Sequence, residues 1–466
     1  MTSDPLLAAF AALAERRAGA PLVASPSRAW SVGDVDRAAR ELAVRLLGDS
    51  FGPGDALGLA AAPGPAFLAG LLAVRRIGAV PVLCDSARPT PDRLATLDRL
   101  GVVGFLASAM GWPDAAADWD LDRRVPERRL DADPAWGAIK LTSGSTGEPR
   151  GIAVPGDAVL ADDEQLATSM GLVAEDRLLA AVPFSHSYGF SSLVLPALVR
   201  GSTLLVADER SPLAPLAVAR ELGATFFPTV PAWIAALVKL SALPPWPESI
   251  RRVIAAGAPL APEVAARFRE RFGQPVHIFY GASECGGIAY DREGDAAERS
   301  SVGTAVDGVT LAIDPETGRL EVRSRAVAAT YLPDAAPELA DGRFRTGDLA
   351  ELDAATGEVR LLGRADDLVI VRGRNVDPHE VERVLKTMPG VEDACVLGVA
   401  GPDGPHSVLR AVVAAPTGAL AYDQVVAYCR AHLAEHKVPR SVILVPDLPR
   451  TDRGKVDRAA LAALAG

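Results

Sequence analysis

The chain reads as an α/β protein with a large N-terminal domain of parallel α/β sheets, a small barrel-like β region, and a small α+β C-terminal domain. Three observations predict this. Over residues 30–110, short apolar runs alternate with helical periodicity, the pattern of strand–helix–strand units. From Ser301 to Val371 the texture changes to short alternating strands with turn signals, among them Asp314-Pro-Glu-Thr-Gly318 and Asp353-Ala-Ala-Thr-Gly357. At 466 residues the chain exceeds one ordinary core, so two or three domains are expected.

In chain order, an alanine-rich amphipathic stretch runs from Leu6 to Arg17. Val32 to Leu47 predicts a helix, 56–60 a buried strand, Ala66 to Ile77 a second helix and 79–83 a second strand. Trp112 to Pro134 reads as a low-complexity surface connection. Then comes Leu141-Thr-Ser-Gly-Ser-Thr-Gly-Glu-Pro-Arg-Gly151, followed by a helix (158–170) and a strand (178–182). A strand–helix–strand unit spans 202–240, and two strand-then-loop passages start at Ile250 and Val276. Past Gly363-Arg-Ala-Asp-Asp367, a strand pair near Arg372-Gly373, a helix (378–388), strands at 393–398 and 407–415, a helix (422–433) and a last strand (442–445) make up the small domain. The tail from Pro449 to Arg458, taken alone, reads as a solvated basic end.

Hydrophobic content of 49% and charged content of 23% are those of a soluble globular protein. A net charge of −11 with no offsetting basic tract argues against a nucleic-acid partner, and 5% aromatic residues argue against a base-stacking platform. Cys84, Cys285, Cys395 and Cys429 show no metal-ligand spacing, which predicts ordinary thiols in a reduced, cytoplasmic protein. The first residues carry no basic leader, so they are not read as a signal peptide. The longest uncharged run, Ala56 to Val74, is broken by Pro63-Gly64-Pro65, so no membrane span is expected.

The stretch 141–151 concentrates three glycines and four hydroxyl side chains in a loop. Glycine permits close backbone approach, so such a loop can turn N–H groups and hydroxyls toward an anion, with Arg150 adding a cation. No Gly-Lys-Ser/Thr follows, which sets aside a P-loop kinase; on composition alone a flexible connection explains the loop equally well. Pro183-Phe-Ser-His-Ser-Tyr-Gly189 is a polar, aromatic break between apolar runs, where a lone histidine is more often a satisfied buried one. In Tyr280-Gly-Ala-Ser-Glu284, Tyr280 can stack on a base and Glu284 can hold a hard cation. In Arg345-Thr-Gly-Asp348, a carboxylate after a tight turn suits a ribose diol, although a turn aspartate is commoner.

These segments, together with 363–382 and 449–458, stand in the order and spacing of the adenylate-forming superfamily, which the chain resembles from about Trp30 to Leu461. That superfamily includes acyl- and aryl-CoA synthetases, peptide-synthetase adenylation domains and beetle luciferases, and the resemblance is closest to freestanding acyl- or aryl-acid ligases. It implies Mg²⁺-dependent attack of a carboxylate on the α-phosphate of ATP, release of pyrophosphate, and transfer of the acyl group to the thiol of CoA or of carrier-protein phosphopantetheine. It implies an N-terminal domain over 1–362 and a mobile C-terminal domain over 363–466, with the hinge at Asp366.

By the same resemblance, Thr142, Ser143, Gly144, Ser145, Thr146, Gly147 and Arg150 take the phosphates. Tyr280 covers the adenine, with Gly257, Ala258 and Gly281 lining its pocket; Ser283 touches the α-phosphate region and Glu284 holds Mg²⁺. Asp348 accepts both ribose hydroxyls, Arg364 reaches the ribose or phosphates, and Lys455 bridges the substrate carboxylate and the α-phosphate. His186 matches the gate residue on the acyl side, and Gly373 meets the pantetheine arm. Tyr188, Phe190, Val230, Cys285, Gly286 and Gly287 form the acyl pocket, which suits a chain or a ring.

The chain departs from the family in three places. Arg150 stands where lysine is usual and Ser283 where threonine is usual. Ser185 stands where amino-acid-activating members carry an aspartate, which disfavours an amino acid. No Gly-Gly-x-Ser carrier signature follows Arg458, which implies a freestanding enzyme. On the acceptor the signals conflict: 367–375 is similar to fatty acyl-AMP ligases that load carrier proteins, while 184–190 is similar to acyl-CoA synthetases. A freestanding amino-acid adenylation enzyme and an inactive acyl-adenylate-binding protein are the alternatives.

Overall fold

Apolar runs without alternation predict strands covered on both faces, and every residue of the strand Ala56–Ala61 is buried. The computed structural model describes residues 4–85, 91–108, 111–112, 118–142, 150–208, 211, 213–241, 245–365, 369–371, 374–401, 404–450 and 456–463. Ala56–Ala61 is central in a seven-stranded sheet ordered Thr330–Leu332, Gly151–Pro155, Trp136–Leu141, Val80–Leu83, Ala56–Ala61, Gly104–Ser108, Asp120–Arg123. Its four middle strands are parallel, and antiparallel strands close both sides.

A second, nine-stranded sheet runs Thr304–Ala305, Gly286–Tyr290, Val276–Ala282, Arg252–Ala256, Phe226–Thr229, Arg177–Leu179, Thr203–Leu205, Pro21–Ala24, Ala29–Ser31. The six strands from Val276–Ala282 to Pro21–Ala24 are parallel to one another. The mixed α/β class expected from the sequence is the class observed.

The helix Pro65–Arg76 is buried all round, as its apolar composition requires. Its one buried charge, Arg75, is fully used. The guanidinium donates to Asp4 Oδ2 at 2.6 Å, Ala79 O at 2.9 Å and Pro134 O at 2.8 Å. A buried cation is tolerated only when paired and hydrogen-bonded in this way. Asp4 also caps the helix Pro5–Arg17, accepting from Leu7 N at 2.9 Å, so one ion pair anchors the first helix.

One expectation is corrected between Trp112 and Pro134. That segment contributes the edge strand Asp120–Arg123, paired antiparallel with Gly104–Ser108, and Trp112 and Trp119 are buried. The strand joins the sheet through its backbone while its side chains face solvent, so its polar sequence carries no strand signal. Farther on, short strands form a five-stranded sheet: Thr310–Ile313, Arg319–Arg323, Arg343–Leu352 and Leu339–Ala340, with Val359–Arg364 on Arg343–Leu352. Among the described residues no helix is long and apolar enough to cross a membrane.

Two compact units divide the chain: residues 1–312, 321–345 and 352–360 in the first, and 313–320, 346–351 and 361–466 in the second. The second contains a three-stranded sheet in which Gly404–Ala414 pairs antiparallel with Asp393–Gly401 and parallel with Ser441–Val445. Period-two alternation buries both faces of it. Val396, Leu409, Ala411 and Val413 pack with Val381 and Leu385 of the helix Pro378–Lys386 and with Val425 and Cys429 of Tyr422–His432. Cys395, Leu397, Val412 and Ala414 face the other way and cover Leu448 and Leu461.

The tail is therefore anchored rather than a solvated end. Arg450 bridges Val456, and Arg458 donates to Val396 O at 3.1 Å and to Glu382 at 2.8 Å. Residues 451–455 between these anchors lie outside the described residues.

Asp377 caps the helix Pro378–Lys386, and its Oδ1 lies 3.1 Å from His379 Nδ1. That bond raises the His379 pKa above the usual histidine value, with burial opposing it. A raised folded pKa gives stability that is complete below the unfolded value, about pH 6.5, and is lost as pH climbs through the folded value. Thermal melts from pH 6 to 9 should therefore show His379→Gln destabilised most at the acid end, with the gap from the parent closing toward pH 9. A gap independent of pH would contradict the linkage.

Candidate active site

Ligands of open α/β sheets collect beyond the carboxyl ends of the strands. Four adjacent parallel strands of the nine-stranded sheet deliver the predicted groups there. Arg177–Leu179 leads to the loop with Ser185 and His186, and Phe226–Thr229 leads to Val230. Arg252–Ala256 leads to Gly257 and Ala258, and Val276–Ala282 carries Tyr280 and Gly281 before Ser283 and Glu284. Tyr280 and Gly281 are strand residues, paired with Ala289 and Gly287.

The neck of the glycine-rich loop is latched. Thr142 N donates to Arg150 O at 2.9 Å, and Arg150 N donates to Thr142 Oγ1 at 3.0 Å. Ser143, Gly144, Ser145, Thr146 and Gly147 lie outside the described residues, as do Asp366, Gly373 and Lys455.

Glu284 accepts the Tyr331 hydroxyl at 3.0 Å, and the Arg150 guanidinium lies 5.1 Å from the centre of the Tyr331 ring. Register explains the meeting: Tyr331 pairs with Ile152 and Leu332 with Gly151, immediately after the loop. Burial, with the Glu284 carboxylate beside it, pushes the Tyr331 phenol far above its usual range, so it remains a donor. Sequence reasoning does not find Tyr331. The Thr-Tyr-Leu-Pro run looks like an ordinary short strand, and its partner lies 47 residues away.

Two hydroxyls join the acyl and nucleotide segments, Ser187 Oγ donating to Ser283 Oγ at 2.6 Å. Beside them, His186 Nε2 lies 2.8 Å from Asp85 Oδ1, which also accepts the Ser185 hydroxyl at 3.1 Å. His186 is half-buried rather than enclosed, with its side chain 27% exposed. The Tyr188 hydroxyl donates to Ile254 O at 2.9 Å, and burial raises its pKa well above the usual phenol value.

Gly286 and Gly287 of the expected acyl pocket each turn the side where a Cβ would stand toward protein. Gly286 has φ +69°, and a Cβ there would lie 2.1 Å from Asp162 Oδ1; a Cβ on Gly287 would lie 2.6 Å from Leu166. Both glycines are small because the helix Gly156–Met170 packs against them. Phe190 and Cys285 are likewise closed off, while Val230 stays 37% exposed. Burial drives the Cys285 thiol well above its usual pKa.

Beneath this wall lies a charged group the sequence reading overlooks. Lys140, on Trp136–Leu141, is buried 5.8 Å from the centre of the Phe190 ring. Burial lowers its pKa, and Asp162, Cys285 and Glu284 oppose that shift. Asp162 accepts from Ser191 Oγ and, at 3.0 Å, from Gly287 N.

Asp348 and Arg364 belong to the second unit. Asp348 lies on Arg343–Leu352, its N–H held by Thr346 Oγ1 at 3.0 Å, and Arg364 Nη1 lies 3.5 Å from Asp348 Oδ1. Among the described residues no cluster of three His, Cys, Asp or Glu side chains could hold a metal by itself. A single carboxylate such as Glu284 suits Mg²⁺, which is usually bound by one or two carboxylates together with substrate phosphates.

Residues 10–332 match the model of the AMP-binding enzyme family, and residues 380–455 match that of the AMP-binding enzyme C-terminal domain. The chain belongs to the AMP-binding enzyme family, the adenylate-forming superfamily that its motifs resemble. It is 29% identical over 464 residues to a feruloyl-CoA synthase from Amycolatopsis sp., covering 92% of each chain. It is 34% identical over 398 residues to a Mycobacterium tuberculosis 3-[(3aS,4S,7aS)-7a-methyl-1,5-dioxo-octahydro-1H-inden-4-yl]propanoyl:CoA ligase, covering 80% of this chain and 77% of that one. The crystal structure of ATP-bound MatB from Rhodopseudomonas palustris superposes with TM-score 0.83 at 26% identity, covering 100% and 99%.

An Mg²⁺-ligand role for Glu284 predicts that Glu284→Gln raises the Mg²⁺ concentration giving half-maximal activity by about tenfold, because a neutral amide oxygen is a poorer ligand for a hard cation. Tyr331→Phe, which removes one hydrogen bond to the carboxylate and keeps the carboxylate itself, should cause a smaller shift. Titrating activity against Mg²⁺ decides it, and an unshifted Glu284→Gln curve removes Glu284 from the metal site.

Proposed function

We propose that this protein activates a carboxylic acid, aryl or fatty, as its acyl-adenylate with ATP and then transfers the acyl group to the thiol of CoA. The observation that carries the reading is the Ser187–Ser283 hydroxyl contact. It joins the His186 segment to the Glu284 segment, which follow two parallel strands of one sheet separated by Phe226–Thr229 and Arg252–Ala256. CoA is taken as acceptor because the relatives matched over most of their length are CoA synthases and ligases.

Adenylation needs no general base, since a carboxylic acid with pKa about 4 is already ionised at neutral pH. The difficulty is bringing one anion onto another, so catalysis rests on cations and oriented donors. The loop 142–147 and Arg150 receive the phosphates, Tyr280 covers the adenine and Asp348 takes the ribose hydroxyls. Glu284 would hold Mg²⁺ together with the phosphates, and the ion would supply charge neutralisation at the transferring group. Lys455 bridges the carboxylate and α-phosphate as negative charge builds between them.

The domain assignment is also a proposal: an N-terminal domain over 1–362 and a C-terminal domain over 363–466, hinged near Asp366. Its support is that the two family models leave the interval 333–379 unmatched, and the long run of the second compact unit begins at Leu361. Rotation about that hinge withdraws Lys455 after adenylation and presents Gly373 to the pantetheine arm.

Acid-dependent exchange of labelled pyrophosphate into ATP tests the reading, run across aryl, fatty and amino acids. Exchange with amino acids alone, or with none, overturns it. Lys455→Ala then resolves the steps. Adenylation should slow by about 10²–10³, the usual cost of one stabilising donor, with the loss in kcat more than in KM. Thioester formation from synthetic acyl-adenylate should be nearly unaffected. An equal fall in both half-reactions would refute the division of labour.

A further inference from the structure

Asp85 follows the strand Val80–Leu83 of the seven-stranded sheet, yet it binds the loop that leaves the nine-stranded one. Its Oδ1 lies 2.8 Å from His186 Nε2 and accepts Ser185 Oγ at 3.1 Å. A carboxylate only accepts, so the proton in the imidazole bond sits on Nε2 and Nδ1 is left as the basic nitrogen. Among the described residues Nδ1 has no hydrogen-bond partner.

The pair is also reachable. The His186 and Asp85 side chains are 27% and 20% exposed, unlike the enclosed Asp162. The backbone around the histidine is fixed, with His186 N donating to Pro183 O at 3.3 Å and His186 O accepting from Phe190 N at 2.8 Å. The next residue, Ser187, touches Ser283, so the residue that Asp85 holds is adjacent in the chain to a contact with the segment assigned to the adenylate.

A base held through one nitrogen by a carboxylate, with the other nitrogen open, is the arrangement that activates a weak nucleophile. We propose that Asp85 and His186 form a dyad for the thioester-forming step, in which Asp85 positions the imidazole and His186 Nδ1 takes the proton of the incoming thiol. The inference rests on the function proposed above and adds a proton acceptor that its first half-reaction does not need.

The step balances without a further reactant. The S–H bond breaks, its proton goes to Nδ1, and the electron pair stays on sulfur. Sulfur attacks the acyl carbon, the C–S bond forms, and the bond from that carbon to the phosphate oxygen breaks. AMP leaves with that electron pair, and the imidazolium releases its proton to solvent. The demand is real, because a thiol of pKa about 8.5 is only a few per cent thiolate at neutral pH.

A purely structural reading is that Asp85 ties the His186 loop to the neighbouring sheet. Acceptor thiols of different acidity separate the two, because a base matters only for a thiol that still holds its proton. With acyl-adenylate supplied, Asp85→Asn should lower kcat of thioester formation with CoA at least about tenfold, and His186→Ala about a hundredfold. With an aryl thiol already ionised at the assay pH, both losses should shrink to about threefold or less. Pyrophosphate exchange, which uses no thiol, should fall less than threefold in Asp85→Asn.

Equal losses with CoA and the aryl thiol, or unchanged CoA kinetics in Asp85→Asn, overturn the dyad. Such results leave adenylation standing as long as the parent enzyme exchanges pyrophosphate. A parent enzyme that exchanges none overturns the function and the dyad together. Should Asp85→Asn fail to fold, Asp85→Ser and His186→Asn carry the same comparison.

Discussion

One buried carboxylate holds the first unit's motif segments in place. Asp162, inside the helix Gly156–Met170, accepts the Ser191 hydroxyl and the Gly287 amide, and its charge acts on the buried Lys140. Ser191 follows the His186 loop, Gly287 follows Glu284, and Lys140 precedes the glycine-rich loop. Three segments that bear chemistry are thus referenced to one point inside the protein. A carboxylate enclosed this completely is costly unless its acceptors are filled, so the surrounding geometry has little freedom. Gly286 is the visible consequence: its left-handed φ lets the chain turn tightly enough for the next amide to reach Asp162.

The reading from sequence succeeds where physics is local. Strands buried on both faces leave uninterrupted apolar runs, and helices such as Val32–Gly48 announce themselves by period, the structure adding a capping box at Ser31 and Asp34. Motif segments at strand ends are legible for the same reason, since the strand before each of them is. What escapes is pairing across distance. Asp85 lies 101 residues from His186, Tyr331 lies 47 from Glu284 and Asp162 lies 125 from Gly287. No local propensity encodes such meetings.

The glycines after Glu284 show that smallness has two physical meanings. A glycine can leave room for a ligand or for a neighbouring side chain, and composition does not distinguish them. On the Cβ side of Gly286 and Gly287 the neighbours are Asp162 and Leu166. The edge strand Asp120–Arg123 is the converse case, a polar segment recruited by backbone hydrogen bonds alone. In the tail, apolar Leu448 and Leu461 flank the basic run and bury themselves, so the anchoring residues lie just outside the stretch whose charge attracts attention.

All four cysteines are buried, and burial raises the thiols of Cys285, Cys395 and Cys429, the last two to about 12 and about 11. An acyl-adenylate is an electrophile, and a protein that forms one must not be acylated by its own product. Thiols held protonated and enclosed are poor competitors for it. The same enclosure leaves the surface quiet toward alkylating reagents, so a single cysteine introduced into either unit would offer a selective point for attaching a spectroscopic probe.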